Sequence, residues 1–193
     1  MFSATFPPAI EKLAKKILTT PVEVVVGNRG QTCSSIEQFV EVREDGEKYL
    51  RLLELLGMWY ELGSILIFVD QQIEADELFK ELWKSGYKVL VLHGGQDQTD
   101  REFTIADFKQ GTRTIMVATS VAARGLDIRS IVLVINYMCP NHMEDYVHRI
   151  GRTGRAGAKG TAYTFITPDE MQYASDLIRA LKGSSQKVPD ELV

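Results

Sequence analysis

The chain has 193 residues, 45% of them apolar, which is enough for one hydrophobic core and would make two cores small. Its 22 basic and 26 acidic residues leave a formal net charge of -4, so no global positive field attracts nucleic acid and any such contact must be local. The sequence holds no apolar run long enough to cross a bilayer and no secretory signal, which predicts an intracellular protein without a membrane. Cys33 and Cys139 lie outside any CxxC or Cys/His cluster, so we expect reduced thiols and no zinc.

Strand-like and helix-like segments alternate along the chain. Apolar strand-like runs lie at Val22 to Val26, Phe39 to Val42, Ile65 to Val69, Val89 to Leu92, Thr114 to Ala118, Ile131 to Ile135 and Ala162 to Ile166. Amphipathic, helix-like stretches lie at Glu47 to Trp59, Glu74 to Trp83, Asp100 to Gln110 and Glu170 to Leu181. Several strands are continuously apolar, as buried parallel strands are, so the alternation predicts an α/β layered fold with a parallel sheet.

A run of cationic residues and glycines occupies residues 147–157, with the sequence VHRIGRTGRAG. Residues 141–146 are typical of a first helical turn, and the glycines would end that helix, so Arg152 and Arg155 should leave on a tight loop. Planar guanidinium groups suit phosphate, and arginines directed at a transferring phosphoryl group are a known catalytic device. The alternative is a solvated basic loop, which is the more frequent origin of an isolated run of this kind.

Polar segments follow three of the predicted strands. In open parallel sheets, ligands bind beyond the carboxyl ends of the strands, so we expect Gly94, Gly95, Thr119 and residues 141–155 to gather at one edge. Two adjacent glycines allow backbone N–H groups to approach a phosphate, and a helix that opens near Thr99 would add its positive end. An ordinary strand-to-helix turn is the alternative for these glycines.

Asp70 follows the apolar run 65–69, as the carboxylate of a Walker B strand would. No G-x-x-x-x-G-K-[ST] P-loop occurs in the sequence, so such a carboxylate would have no nucleotide magnesium to hold. We therefore interpret Asp70 as the N-cap of the following helix. Thr119 and Ser120 are plausible caps for the short turn 121–124 on the same grounds.

Four segments resemble the motifs of the DEAD-box RNA helicases, in the order expected for that family. Ser3-Ala4-Thr5 resembles motif III, His93-Gly94-Gly95 with Gln98 and Arg101 resembles motif IVb or QxxR, residues 117–127 resemble motif V, and residues 145–155 resemble motif VI. The resemblance runs to about Thr167 and implies a RecA-like three-layer fold with a mostly parallel central sheet. It implies the end of a first RecA-like domain and a linker in 1–20, the second RecA-like domain in 21–182, and a tail in 183–193.

The same resemblance assigns roles to individual residues. It implies ATP binding by Gly125, Asp127, Arg152 and Arg155, with Asp127 at the ribose and the two arginines acting catalytically at the γ-phosphate. It implies RNA backbone contacts by Gly94, Gly95, Arg101 and Thr119, and contacts with the first domain by Ser3, Thr5, His148 and Arg149. For Arg149 an internal salt bridge is an equal alternative. The Mg²⁺ that accompanies ATP would be held mainly by the first domain, so this chain alone is expected to be inactive.

Within the family, residues 26–29, 33–38 and 139–146 resemble the DEAD-box ATPases of early spliceosome assembly at the branch site. That similarity implies a nuclear protein in pre-mRNA splicing, with small nuclear ribonucleoprotein components as possible partners. We expect a monomer that contacts RNA through its sugar-phosphate backbone. Two other classes stay open, namely a noncatalytic RNA- or protein-binding module with the same fold and a small-molecule α/β enzyme.

Overall fold

The computed structural model describes residues 8–24, 35–125, 128, 131–155 and 157–192. The predictions for Ser3, Thr5, Cys33 and Asp127 lie outside these residues. The chain divides into two units, residues 1–31 and residues 32–193. No helix among the described residues is long and apolar enough to cross a membrane.

The first unit contains helix α1, Pro8–Ile17, in which Lys15 pairs with Glu11 one turn earlier at 2.7 Å. The strand predicted at Val22 to Val26 is wrong in its described part, because residues 21–24 have no regular secondary structure. Val22 and Val24 are 88% and 80% exposed. Alternating valines favour a strand only where a neighbouring strand and a packed face are available, and the described part of the chain provides neither for Val22 and Val24.

The second unit is built around one sheet of six strands. In chain order its elements are β1 Ile36–Val42, α2 Asp45–Trp59, β2 Ser64–Val69, α3 Gln72–Lys84, β3 Val89–Leu92, α4 Gln98–Gln110, β4 Ile115–Thr119, α5 Ser120–Ala123, β5 Ile131–Asn136, α6 Met143–Ile150, β6 Gly160–Ile166, a 3-10 helix Pro168–Tyr173, α7 Ala174–Gly183 and a 3-10 helix Asp190–Leu192. The strand order is β1-β6-β5-β2-β4-β3, and each adjacent pair is parallel. The predicted α/β fold with a parallel sheet is confirmed.

Helices cover both faces of the sheet. Leu66 and Phe68 of β2 pack in one cluster with residues of α4, α6 and α7, whereas Ile65 and Ile67 pack in a second cluster with residues of α2 and α3. All four side chains are 1% exposed or less. Because successive strand residues point to opposite faces, a strand covered on both faces is apolar at every position. This arrangement gives the three layers of helix, sheet and helix.

Two segments near the carboxyl terminus differ from the prediction in detail. The helix expected over Glu170 to Leu181 is divided into a 3-10 helix and α7, because the Glu170 carboxylate caps the backbone N–H of Thr167 at 3.0 Å and starts a separate turn. The residues after α7 fold back onto the sheet. Gln38 of β1 donates its side-chain N–H to Ser184 Oγ at 3.0 Å, and Leu192 is 2% exposed.

Candidate functional site

The parallel sheet has two chemically distinct ends. At the carboxyl edge, strands end at residues such as Val69 and Thr119, and at the amino edge they begin at Ile36, Ile131 and Gly160. The expectation that all predicted ligand-binding segments gather at the carboxyl edge is wrong. The segment 141–155 starts at the carboxyl edge but α6 carries its second half towards the amino edge.

The arginine loop, residues 151–155, is anchored at the amino edge. The Thr153 hydroxyl donates to the carbonyl of Ile131, the first residue of β5, at 2.6 Å. The Ser35 hydroxyl, next to the start of β1, donates to the Gly154 carbonyl at 3.2 Å. Thr153 is 2% exposed, so its hydroxyl has no competing water. Two side chains therefore fix a loop that otherwise has no regular structure.

Close packing against the strands fixes the same loop. Gly154 has φ of 66°, and a Cβ built there would lie 2.6 Å from Ile36 Cγ1. A Cβ on Gly160 would overlap Thr153 Oγ1 and would lie 2.5 Å from the backbone nitrogen of Gly154. Glycine is required at both positions because no side chain fits between loop and strand, and at Gly154 because the backbone is left-handed.

Arg152 and Arg155 are oriented by the turn that precedes them. Arg152 Nε donates to the His148 carbonyl at 3.0 Å, and Arg155 Nε donates to the Gly151 carbonyl at 2.8 Å. Both side chains are half-buried, as is His148. A carbonyl partner fixes the direction in which a guanidinium group points. The predicted departure of both arginines from the end of a helix onto a tight loop is confirmed, since α6 ends at Ile150.

A second arginine, Arg149, lies at the carboxyl edge and is 4% exposed. Its Nη2 donates to Asp70 Oδ1 at 2.6 Å, and its Nε lies 2.7 Å from both Ser120 Oγ and Asp145 Oδ2. Its Nη1 donates to the Met138 carbonyl at 3.0 Å. We call Arg149, Asp70, Ser120 and Asp145 the Arg149 cluster. The internal salt bridge, one of the two alternatives for Arg149, is present in the structure, and the contact with the first domain stays a prediction.

The interpretation of Asp70 as a helix N-cap is wrong. The N-cap of α3 is Gln71, whose backbone N–H donates to Glu74 Oε2 at 2.8 Å in a capping box. Asp70 lies one residue earlier, and its carboxylate is directed at Arg149 instead. A buried guanidinium without a carboxylate partner would be costly, so the ion pair outweighs a cap that Gln71 supplies equally well.

Thr119 occupies the N-cap position of α5 but makes no side-chain cap bond. Ser120 donates its hydroxyl to Asp145 Oδ2 at 3.0 Å and so serves the Arg149 cluster. Thr119 is 7% exposed and lines an open cavity of about 370 Å³ at the carboxyl edge. Asp70, Ser120, Arg124, Asp145 and Arg149 also line this cavity. The predicted RNA contact Thr119 is therefore next to the Arg149 cluster.

The glycine pair follows β3 in a turn organised by His93. The Gly95 N–H donates to His93 Nδ1 at 3.1 Å, while His93 Nε2 lies 3.1 Å from Asp76 Oδ1. This arrangement assigns the imidazole proton to Nε2, so that Nδ1 accepts. Gly94 and Gly95 are exposed, and α4 begins at Gln98 immediately beyond them. A phosphate at this turn would meet the Gly94–Gly95 backbone and the amino end of α4 together.

Arg101 projects from the first turns of α4. Its Nη1 donates to Gln98 Oε1 at a long 3.4 Å, and its Nε is buried without a hydrogen-bond partner among the described residues. A buried unsatisfied guanidinium nitrogen is rare and points to a partner that completes it. Gly125, the other predicted site residue of this region, is exposed with φ of 77°.

Sequence reasoning missed the residues that hold the site in place. Ser35, Thr153 and Gly160 anchor the arginine loop, and Asp70 and Asp145 hold Arg149. The one local signal was Asp145 four residues before Arg149, which is the spacing of an ion pair on one helix face. The other contacts join residues far apart in the chain, and no single-sequence pattern identifies them.

Comparison with known proteins places this fold in a family. The model described as "Helicase conserved C-terminal domain" matches residues 47–157. The human "Probable ATP-dependent RNA helicase DDX46" is 59% identical over 192 residues, which cover 100% of this chain and 19% of that protein. The Schizosaccharomyces pombe "Pre-mRNA-processing ATP-dependent RNA helicase prp11" is 56% identical over 195 residues, which cover 100% of this chain and 19% of that protein. The chain spans about a fifth of the length of these relatives.

Two solved structures have the same architecture. Saccharomyces cerevisiae Dbp5 bound to RNA and ADP BeF3 superposes with a TM-score of 0.85 at 31% identity, over 97% of this chain and 49% of that chain. The C-terminal domain of the DEAD-box protein Dbp5 superposes with a TM-score of 0.67 at 33% identity, over 77% of this chain and 85% of that chain.

The sheet, its two helical layers and these neighbours define a RecA-like helicase domain. The chain belongs to the helicase C-terminal domain family, among the DEAD-box RNA helicases.

Proposed function

We propose that this chain is the second RecA-like domain of an ATP-dependent RNA helicase that acts in pre-mRNA splicing. The observation that carries the proposal is the arginine loop, in which Thr153, Gly154 and Gly160 fix two arginines against the amino edge. A solvated loop that served only solubility would need no such anchoring, and its glycines would tolerate a Cβ. Fixed cationic side chains suit an anion whose position matters, as in phosphoryl transfer.

In the proposed reaction, Arg152 and Arg155 stabilise the charge that develops on the γ-phosphate of ATP, and Gly125 and Asp127 contact the ribose side of the nucleotide. Their contribution belongs to the transition state, since the ground-state phosphates and the Mg²⁺ would be held by the first RecA-like domain. The guanidinium pair and its close-packed loop fit such a polyanion. His148, Ser3 and Thr5 are proposed to contact the first domain.

RNA is proposed to bind at the carboxyl edge through its sugar-phosphate backbone. Gly94 and Gly95 are exposed, Thr119 lines the open cavity, and the Arg101 guanidinium makes a long 3.4 Å hydrogen bond to Gln98 at the start of α4. Contacts of this kind carry no base sequence, so intrinsic sequence specificity should be low. The Dbp5 structure with RNA and ADP BeF3, which resembles this chain over 97% of its length, supports both ligands.

The splicing role is supported by the relative from S. pombe, which is named a pre-mRNA-processing helicase. A nuclear location, small nuclear ribonucleoprotein partners and a monomeric state follow from the same proposal. The proposed boundaries are a first-domain remnant and linker in 1–20, the second RecA-like domain in 21–182 and a tail in 183–193. Ser184 and Leu192 pack into this domain, which favours keeping the last segment with it in any expressed form.

The test is ATP turnover, with and without RNA, by this chain alone and by the full-length protein of the gene that encodes it. We expect RNA-stimulated turnover from the full-length protein and none from the chain alone, because the chain has no P-loop. Turnover by the purified chain, with contaminating ATPases excluded, would contradict the domain assignment. A full-length protein that binds RNA without turnover would favour the noncatalytic module with the same fold.

A further inference from the structure

The two edges of the sheet are joined by one short helix. Helix α6, Met143–Ile150, begins at the carboxyl edge after β5, and the arginine loop that follows it lies at the amino edge. The proposed RNA contacts and the proposed nucleotide contacts therefore lie at opposite ends of α6. Any shift of α6 along the sheet would move Arg152 and Arg155 together with it.

The Arg149 cluster attaches the last turn of α6 to the carboxyl edge. Arg149 lies three residues before Arg152 and four residues after Asp145, so its side chain points back along the helix. It reaches Asp70 at the end of β2 at 2.6 Å and Ser120 of α5 at 2.7 Å. Ser120 directly follows Thr119, so one guanidinium group connects the proposed RNA contact with the helix that positions the arginine loop.

Asp70 has a special place in this cluster. Met138 follows β5, Asp145 lies on α6 itself and Ser120 follows β4, whereas Asp70 follows β2, the strand between β5 and β4. The Arg149 guanidinium also lies 5.5 Å from the centre of the Phe68 ring on the same strand. The Asp70 carboxylate is 39% exposed, whereas the Arg149 side chain that it binds is 4% exposed.

We propose that Asp70 is a positioning residue that couples RNA binding at the carboxyl edge to ATP binding at the amino edge. This inference rests on the proposed function. Asp70 binds Arg149, and Arg149 connects α6 to Ser120 of α5. The position of α6 in turn sets the position of Arg152 and Arg155, which follow its last residue. The Asp70 carboxylate pairs with Arg149, and it also lines the cavity that contains Thr119. Its loss should therefore reduce the effect of one ligand on the other by more than it changes the affinity for either ligand alone.

The experiment measures RNA affinity of the full-length protein with and without a non-hydrolysable ATP analogue, and the ratio of the two is the coupling factor. We expect Asp70→Ala to lower the coupling factor about 3- to 30-fold, the range in which residues between coupled sites act. Analogue affinity without RNA should stay within about twofold of wild type, and RNA affinity without nucleotide should change by less than the coupling factor does. Asp70→Glu, which keeps the carboxylate, should restore part of the coupling.

Asp176→Ala is the matched control, since Asp176 is 40% exposed and pairs with Arg179 at 3.4 Å on α7, outside the Arg149 cluster. A wild-type coupling factor in Asp70→Ala, or an equal loss in Asp176→Ala, contradicts the inference. Should Asp70→Ala fail to fold, Ser120→Ala removes another partner of Arg149, and the same readout decides in the same way. Absence of coupling in the wild-type protein would instead overturn the proposed function.

Discussion

Two groups of arginine side chains lie at opposite edges of one sheet, and they are held in different ways. Arg149 is 4% exposed and lies between the carboxylates of Asp70 and Asp145. Arg152 and Arg155 are half-buried, and the Nε of each is directed by a main-chain carbonyl. The difference indicates that a guanidinium placed among carboxylates organises the domain, whereas the two on the arginine loop are oriented by main-chain carbonyls of the turn that precedes them.

The largest expected effect comes from removing the two arginines at the amino edge. In the full-length protein, Arg152→Ala or Arg155→Ala should lower kcat far more than it raises KM for ATP, since both side chains are proposed to act in the transition state. Arginines in this role contribute roughly 10³ to 10⁵ in rate. Steady-state ATP turnover at saturating RNA measures the effect.

Arg179→Ala is the control for loss of an arginine, because the Arg179 side chain is 73% exposed on α7. It should turn over ATP at the wild-type rate. If both loop variants also kept the wild-type kcat, the arginine loop would be a solvated basic loop after all, and its anchoring would need another explanation.

The second prediction leaves the arginines in place and moves the loop that carries them. In Gly160→Ala the new methyl group would meet Thr153 and the Gly154 nitrogen, so the loop must shift by a substantial part of an ångström. Misplacement of catalytic groups by about 1 Å can cost about 100-fold in rate, and we expect a loss of about 10- to 100-fold in kcat. The measurement is ATP turnover beside a thermal unfolding curve.

Gly57→Ala provides the matched control, because a Cβ on Gly57 meets nothing within 4 Å inside α2. It should leave turnover unchanged and raise the melting temperature slightly, since alanine is the better helix former. Normal turnover in Gly160→Ala would mean that the packing of loop against strand does not position the arginines.

Much of the fold was predictable because its signals are local. The apolar runs of β2 and β3 and the amphipathic runs of α2, α3 and α4 identified these elements within a few residues. The end of α6 was predictable from glycines alone. The valines at 22–24 gave the same local signal as a strand, and the prediction failed there because strand formation depends on a pairing partner that the sequence does not specify.

The site was less predictable because its contacts are long-range. Asp70 and Arg149 are 79 residues apart, and the buried hydrogen bond from Tyr146 to Gln38, which holds α6 against β1, joins residues 108 apart. The rule that ligands lie beyond the carboxyl ends of strands predicted the place of Gly94, Gly95 and Thr119. It did not predict the place of the arginine loop, because α6 runs back from the carboxyl edge and Thr153 then bonds to Ile131 at the start of β5.

The third prediction tests the proposed RNA contact of Arg101 at the carboxyl edge. In the full-length protein, Arg101→Ala should weaken RNA binding about equally for unrelated single strands and reduce the salt slope by about one. Affinity for ATP without RNA should stay near wild type, because Arg101 is proposed to contact only the RNA backbone. RNA affinity measured across a salt series tests this. A changed base preference, or an unchanged slope with weaker ATP binding, would rule out the phosphate contact.

The smallest effect concerns Cys139, which follows Met138 beside the Arg149 cluster. Burial raises the pKa of the Cys139 thiol from 9.0 to about 12, with a further increase from Glu170 that Arg149 partly opposes. At pH 8 the thiolate fraction should therefore be about 1,000-fold lower than for an ordinary thiol. We expect Cys139 to resist alkylation in the native protein and to react once it is unfolded in urea, with Cys33→Ser as the background that leaves one thiol.

The same raised pKa has a consequence for stability at high pH. Because the folded state keeps the thiol protonated, the unfolded state loses its proton first as pH rises above 9.0. The contribution to folding stability is complete below that pH and is lost progressively towards about 12. Cys139→Ala should flatten the alkaline decline of the free energy of unfolding, measured by urea titration between these two limits.

Fast alkylation of native Cys139 at pH 8 would show that the carboxyl edge opens around Arg149 more often than its burial indicates.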